Sequence, residues 1–396
     1  MRAILLLLLA LPSLAADPKR IELGFPQLEE RVEVVFPENY DESRTWPAVF
    51  YYHGTGQTPD TRLIRHHTGD QDWFVIGMGY VQRGRFTMTP EGVADELQIL
   101  RSVRQHLAGK YKLDPKRCYL AGFSKGGWMS GILLQADRSF AGSAILGAGH
   151  HYKVSSRPSR FSRNHAVFVG VGRLDGNYPL GVRAVTWYRG LGASATLETW
   201  HDLGHTFPES GSPALTQWLA IQADPGGAHR KDALAWATAR LQEIDAIRDP
   251  VNRWVALRDA ESAPYAKYLP DNARELMRSK RTKLEQTAVV SVEAKALAAH
   301  RKILLVEVKD PTRSTYEKAA AAYYKLSQDN PNTRQGEIAL ADHKRVKELL
   351  VQLDAEEARE KEAPKPPEPD PADKPVDPSN KAPDPRPRIP GNPLVR

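Results

Sequence analysis

The sequence predicts an α/β fold, with a mostly parallel sheet flanked by helices, then a helical extension and a proline-rich tail. Three observations predict it. Short continuous apolar runs, such as Trp46–Tyr52 and Ala166–Val171, read as strands buried on both faces. Stretches with helical spacing alternate with them, as crossovers between parallel strands require. The residues of chemical interest fall just past the carboxyl ends of those runs, where functional loops gather in such sheets. At 396 residues the chain is long enough for one large core and a further region.

Residues 1–16 read as a secretory signal. Arg2 is the charged start, Ile4 to Leu11 the apolar run, and Ser13-Leu14-Ala15-Ala16 the small-residue end. Cleavage near Ala15 or Ala16 is expected to leave a secreted or periplasmic protein of bacterial type. The apolar run is too short to span a bilayer, so no integral membrane segment is expected after cleavage. Cys118 is the single cysteine, so the chain has no internal disulfide; its apolar neighbours predict a buried, inert thiol.

Residues 17–223 form the expected α/β domain. Arg31–Phe36 reads as an early strand and Trp46–Tyr52 as the first fully buried one. Trp73–Gly77, Cys118–Ala121, Gly142–Leu146, Ala166–Val171 and Ala195–Trp200 are the other strand candidates. Asp95–Leu107 places Leu97, Leu100, Val103 and Leu107 on one helical face, and Gly181–Leu191 is a second helix candidate. Asp224-Pro225-Gly226-Gly227 is a linker or sharp turn. Residues 224–355 read as helix-rich, with helices expected over 232–248, 271–287 and 316–326, and another running through Leu350. The helix, Asn330-Pro331-Asn332 turn and helix resemble one tetratricopeptide-like unit without a second copy at a fixed period. Ile303–Val308 is compatible with a strand. Residues 356–396, mostly Pro and charged, lack the apolar pattern that would offset ordering entropy and are expected to be disordered.

Gly122-Phe123-Ser124-Lys125-Gly126 lies between the Cys118–Ala121 strand and a segment of helical composition, the context of a nucleophile elbow. A serine hydroxyl needs a base, and the base needs an orienting group. In this arrangement the acid and then the histidine follow the serine. Asp175, in Gly172-Arg173-Leu174-Asp175-Gly176, and His205, in Gly204-His205-Thr206, stand past successive strands in that order. His201 is a weaker base candidate and Asp202 the reserve acid. His53-Gly54-Thr55-Gly56 fits an oxyanion loop. The backbone N–H groups of Thr55 and Lys125 are its expected donors, each typically worth about 2.7–4 kcal/mol in the transition state. The Lys125 side chain is expected to be solvated, with contact to an acidic substrate as the other reading.

The net charge of +7 permits a polyanionic partner without requiring one. No zinc-finger, RNP-type or helix-turn-helix signature suggests nucleic acid. His66-His67 and His150-His151 are adjacent pairs, and His201 and His205 lack the intervening glutamate of a zinc helix. Gly170-Val171-Gly172 lacks the third glycine of a dinucleotide fingerprint, and there is no P-loop. No cofactor and no metal are expected.

On His53–Gly56, Gly122–Ser130, Asp175 and Gly204-His205, residues 30–222 resemble the α/β-hydrolases. The likeness is strongest to the branch of small secreted esterases that includes polyhydroxybutyrate-depolymerase-like and feruloyl-esterase-like enzymes. The resemblance implies an exported serine hydrolase acting on a small-molecule or polymeric carboxylic ester through an acyl-enzyme. Lys125, where that branch commonly has a small residue, and the helical extension depart from its pattern. A prolyl-oligopeptidase-type peptidase uses the same elbow. A non-enzymatic reading makes the chain an interaction protein that binds an envelope partner through residues 231–353 or the Pro-rich tail.

Overall fold

Apolar alternation sets the architecture. The computed structural model describes residues 19–69, 71–81, 89–150, 160–227, 229–309 and 311–362. The expected secretory signal and the expected tail beyond residue 362 therefore lie outside the described residues. One eight-stranded sheet holds β1 (Arg20–Leu23), β2 (Val32–Val35), β3 (Trp46–Tyr52), β4 (Phe74–Met78), β5 (Leu113–Phe123), β6 (Gly142–Leu146), β7 (Ala166–Gly172) and β8 (Ser194–Trp200). The strand order is 1-2-4-3-5-6-7-8. The β3–β8 pairings are all parallel, and β2 runs against both neighbours. This is the mostly parallel sheet, flanked by helices and followed by a helical extension, that the sequence predicts.

Every residue of β3, β4, β6 and β7 is buried. Alternate side chains go to opposite cores. Trp46, Ala48, Phe50 and Tyr52 join the core under α2 (Pro90–Lys110), α3 (Lys125–Ala136) and α4 (Tyr178–Gly190). Val49 and Tyr51 join the one under α1 (Arg62–Thr68) and α5 (Pro213–Ala223). Cys118 belongs to the first core; burial pushes its thiol up to about 12.

Between α1 and α5, His67 is buried, and its Nδ1 shares a 2.9 Å hydrogen bond with Thr216 Oγ1. Burial, and after it His66, push His67 down from 6.5 to about 4. The unfolded chain therefore binds the extra proton between those values. The His67 contribution is full above pH 6.5 and lost as pH falls toward 4 and below. We expect a loss of about 3 kcal/mol across that window. Urea titrations at stepped pH should show a flatter profile for His67→Gln.

The helical extension comprises α6 (Arg230–Ala246), α7 (Pro250–Ser262), a 3-10 turn at Pro264–Tyr268, α8 (Asp271–Glu285), α9 (Ala288–Lys309), α10 (Arg313–Asp329) and α11 (Arg334–Glu362). Asp249 caps α7 by accepting from the Asn252 N–H at 2.7 Å, ahead of Pro250 at the first helical position. Residues up to Leu350 form one compact unit; a second begins at Val351.

Two expectations change here. Ile303–Val308 is the last part of α9, not a strand. Burial at Val290, Glu293, Ala296, His300, Leu304 and Glu307 keeps one helical face through it, while Leu305 and Val306 point outward. Residues 356–362, expected to be the start of the tail, are instead helical, because α11 continues to Glu362. Residues 355–362 are all Ala, Glu, Lys or Arg, good helix formers, and the first proline is Pro364.

Candidate active site

The geometry starts with the turn out of β5. Ser124 has φ 56° and ψ −119°, the one positive-φ non-glycine among the described residues. Such a conformation costs of order 1–3 kcal/mol and persists only where its surroundings enforce it. Here the Ser124 N–H donates to Leu146 O at 2.8 Å, and its carbonyl accepts from the Trp128 N–H at 3.1 Å. Close backbone approach explains the flanking glycines. A Cβ on Gly122 would overlap the backbone of Gly126, and one on Gly126 would overlap the Tyr52 carbonyl at the end of β3. Gly126→Ala must therefore part α3 from β3. We expect it to cost about 3 kcal/mol or more, read as a lower urea midpoint or as loss of soluble protein.

The candidate acid and base come from the next two loops. Asp175 follows β7 and is buried; its Oδ1 accepts from the Asn177 N–H at 2.9 Å. Its Oδ2 lies 2.7 Å from His205 Nδ1, and His205 Nε2 lies 2.8 Å from Ser124 Oγ. The carboxylate only accepts, so Nδ1 carries the proton and Nε2 is left to receive one from the serine. Phe123 stacks on the imidazole, with ring centroids 5.4 Å apart and planes 29° from parallel. The two loops are laced together. Arg173 N–H donates to Trp200 O at 2.8 Å and Leu174 N–H to Leu203 O at 2.9 Å.

The His53–Gly56 turn follows β3 and abuts the elbow. Gln57 Oε1 accepts from the Gly54 N–H at 3.1 Å, and the Tyr80 hydroxyl donates to His53 O at 2.6 Å. Thr55 sits exposed at the tip of this turn. Lys125 opens α3, so its N–H is one of the helix's orphan donors. Its side chain is not simply solvated. The ammonium lies 3.8 Å from the centre of the Tyr80 ring. Burial lowers its pKa, with Glu96 and Glu30 opposing the shift. A buried aromatic beside the helix start gives the cation a closer partner than water.

Two weaker candidates are engaged elsewhere. His201 Nε2 is 2.8 Å from Asp259 of α7, and Asp202 accepts from Arg334 at the start of α11 at 2.5 Å. Among the described residues, no group of three or more His, Cys, Asp or Glu is placed to hold a metal ion.

The ties that sequence reasoning misses join this site to the extension. Arg173, two residues before Asp175, is buried and donates to Asp342 Oδ2 of α11 at 2.8 Å. His300 of α9 lies 2.7 Å from the same oxygen. Arg345 reaches Asp342 Oδ1 at 3.1 Å and pairs with Glu307 at 2.8 and 2.9 Å. Burial pushes the Asp342 carboxyl up, but His300, Arg173 and Arg345 outweigh it and hold the group well below the usual carboxylate range. Burial, helped by Arg173, pushes His300 below its ordinary value, against the opposing hydrogen bond to Asp342. Nothing in the local pattern around Arg173 points to a partner 169 positions away.

No protein-family model and no curated protein matches the chain. Solved structures similar to it include FphF of Staphylococcus aureus, a fluorophosphonate-binding serine hydrolase, at TM-score 0.40 and 12% identity, covering 52% of this chain and 99% of that one. A Bacillus cereus carboxylesterase is similar at TM-score 0.41 and 18% identity, over 48% of this chain and 94% of that one. A Pyrococcus horikoshii acylaminoacyl peptidase is similar at TM-score 0.40 and 12% identity, over 52% of this chain and 41% of that one. At such values these likenesses identify no substrate.

Proposed function

We propose that this chain is a serine hydrolase that cleaves carboxylic esters through an acyl-enzyme intermediate. One observation carries the reading: the unbroken line from Ser124 Oγ to His205 Nε2 at 2.8 Å and from His205 Nδ1 to Asp175 Oδ2 at 2.7 Å. Ser124 attacks the ester carbonyl as His205 takes its proton. His205 returns that proton to the departing alcohol, then activates water to release the acid. Asp175 holds the tautomer and stabilises the imidazolium. The backbone N–H groups of Thr55 and Lys125 receive the oxyanion. Esters are favoured over amides because an alkoxide is the easier leaving group, so they ask less of His205 as an acid. We read the protein as exported on the strength of residues 1–16. Among the described residues no helix is long and apolar enough to cross a membrane.

The test is labelling of the mature chain, residues 17–396, with a fluorophosphonate probe, followed by peptide mapping. The expected result is one adduct, on Ser124, absent in His205→Ala. Folded protein without an adduct would overturn the reading. p-Nitrophenyl esters assayed beside p-nitroanilides separate an esterase from a peptidase.

A further inference from the structure

We propose that the helical extension is a built-in brace for the loops carrying the acid and the base, with Arg173 and Asp342 as its positioning residues. This rests on the serine-hydrolase reading of Ser124 and adds a role for the extension. A buried cation is costly. Arg173 stands in the turn Gly172-Arg173-Leu174-Asp175 with its side chain only 7% exposed, and such a charge is tolerated only when paired. Its carboxylate partner is Asp342, from α11. The guanidinium also packs over the Tyr178 ring, 4.3 Å from its centre, at the start of α4. Arg173 is thus fixed from both sides, and Asp175 follows it by two residues.

Asp342 is itself held in place. His300 and Arg345 occupy its two oxygens beside Arg173, and Arg345 is anchored by Glu307, which also accepts from the Tyr323 hydroxyl at 2.9 Å. Asp342 therefore presents its carboxylate from a preformed network spanning α9, α10 and α11. The base loop is held from the same side, by Asp259 on His201 and Arg334 on Asp202. Those two pairs are more exposed and individually weaker. All three contacts fall within four residues of Asp175 or His205. An acid or base misplaced by about 1 Å costs on the order of 100-fold in rate, so a brace at these loops acts on turnover and not only on stability.

The test uses the full mature chain. Arg173→Gln and Asp342→Asn break the pair singly. The double variant Arg173→Met/Asp342→Leu removes both charges together; Arg345 keeps its pair with Glu307, and only the His300 Nε2 loses its partners, a smaller cost than a lone buried charge. Arg281→Gln is the control: it removes an arginine paired with Glu261 and Glu285, within α7 and α8, none of the three being in either loop. Two quantities are read: backbone hydrogen exchange in peptides covering residues 172–178, and the rate of fluorophosphonate labelling at Ser124.

The brace variants should exchange faster over 172–178 and label roughly 10- to 100-fold more slowly. For an ester substrate, kcat should fall with KM nearly unchanged. Arg173→Lys should recover part of the loss, and Arg281→Gln should match the parent in both readings. A folded double variant with parental exchange and labelling would overturn the proposal. So would faster exchange with parental labelling, or an equal loss in Arg281→Gln. If the parent chain fails to label, the hydrolase reading fails, while exchange still decides whether Asp342 orders the acid loop.

Discussion

Ser124→Ala should lower kcat for an activated ester by about a million-fold, close to 8 kcal/mol of barrier, with the fold unchanged. The size follows from the geometry. Ser124 Oγ is the atom that His205 Nε2 contacts, and no neighbouring hydroxyl shares the turn that projects it. Alanine keeps the side-chain volume at Cβ, so the elbow's hydrogen bond to Leu146 O and its contact with α3 survive. The check is steady-state turnover of p-nitrophenyl acetate beside a near-ultraviolet circular dichroism spectrum. Residual activity above about a thousandth of the parent's, in protein free of wild-type contamination, would remove Ser124 from the chemistry.

Asp175→Asn should cost about ten-thousand-fold in kcat, or roughly 5 kcal/mol, and the reason is a tautomer. Oδ1 of Asp175 accepts from the Asn177 N–H, so an asparagine keeps its carbonyl oxygen there and turns its NH2 toward His205. Nδ1 must then accept, which places the ring proton on Nε2 and leaves no lone pair for the Ser124 hydroxyl. Asp202→Asn is the comparison. Asp202 is exposed and paired with Arg334, so its loss should change kcat no more than a few-fold. A loss in Asp175→Asn smaller than about 100-fold would assign the orienting role elsewhere.

What could be read from the sequence was whatever is encoded locally. Gly142–Leu146 reads as a strand and is β6 with the same ends, because five small or apolar residues between turns leave few alternatives. The elbow is equally local: Gly122, Ser124 and Gly126 satisfy three steric demands within five residues. Asp175 and His205 stand out because each follows a strand, and the hydrogen bonds from Ser124 to His205 to Asp175 follow from parallel strands ending side by side.

Other features depend on tertiary partners and left no local trace. Lys125 reads as a surface cation until Tyr80, 45 positions earlier, is seen beneath it. Ile303–Val308 has strand composition in isolation, and only the buried face running from Val290 makes it helix. The importance of Asp342 was likewise hidden. It sits in a charged helix of ordinary appearance, and its buried partner belongs to the sheet domain.

The isolation of Cys118 has a practical consequence. With its thiol pushed up to about 12 by burial, it presents almost no thiolate at neutral pH and should ignore maleimides in the folded protein. A cysteine introduced at any exposed position would then be the sole reactive thiol. The chain therefore accepts a single dye, spin label or surface tether without prior removal of its native cysteine, and unfolding would announce itself as the appearance of a second labelling site.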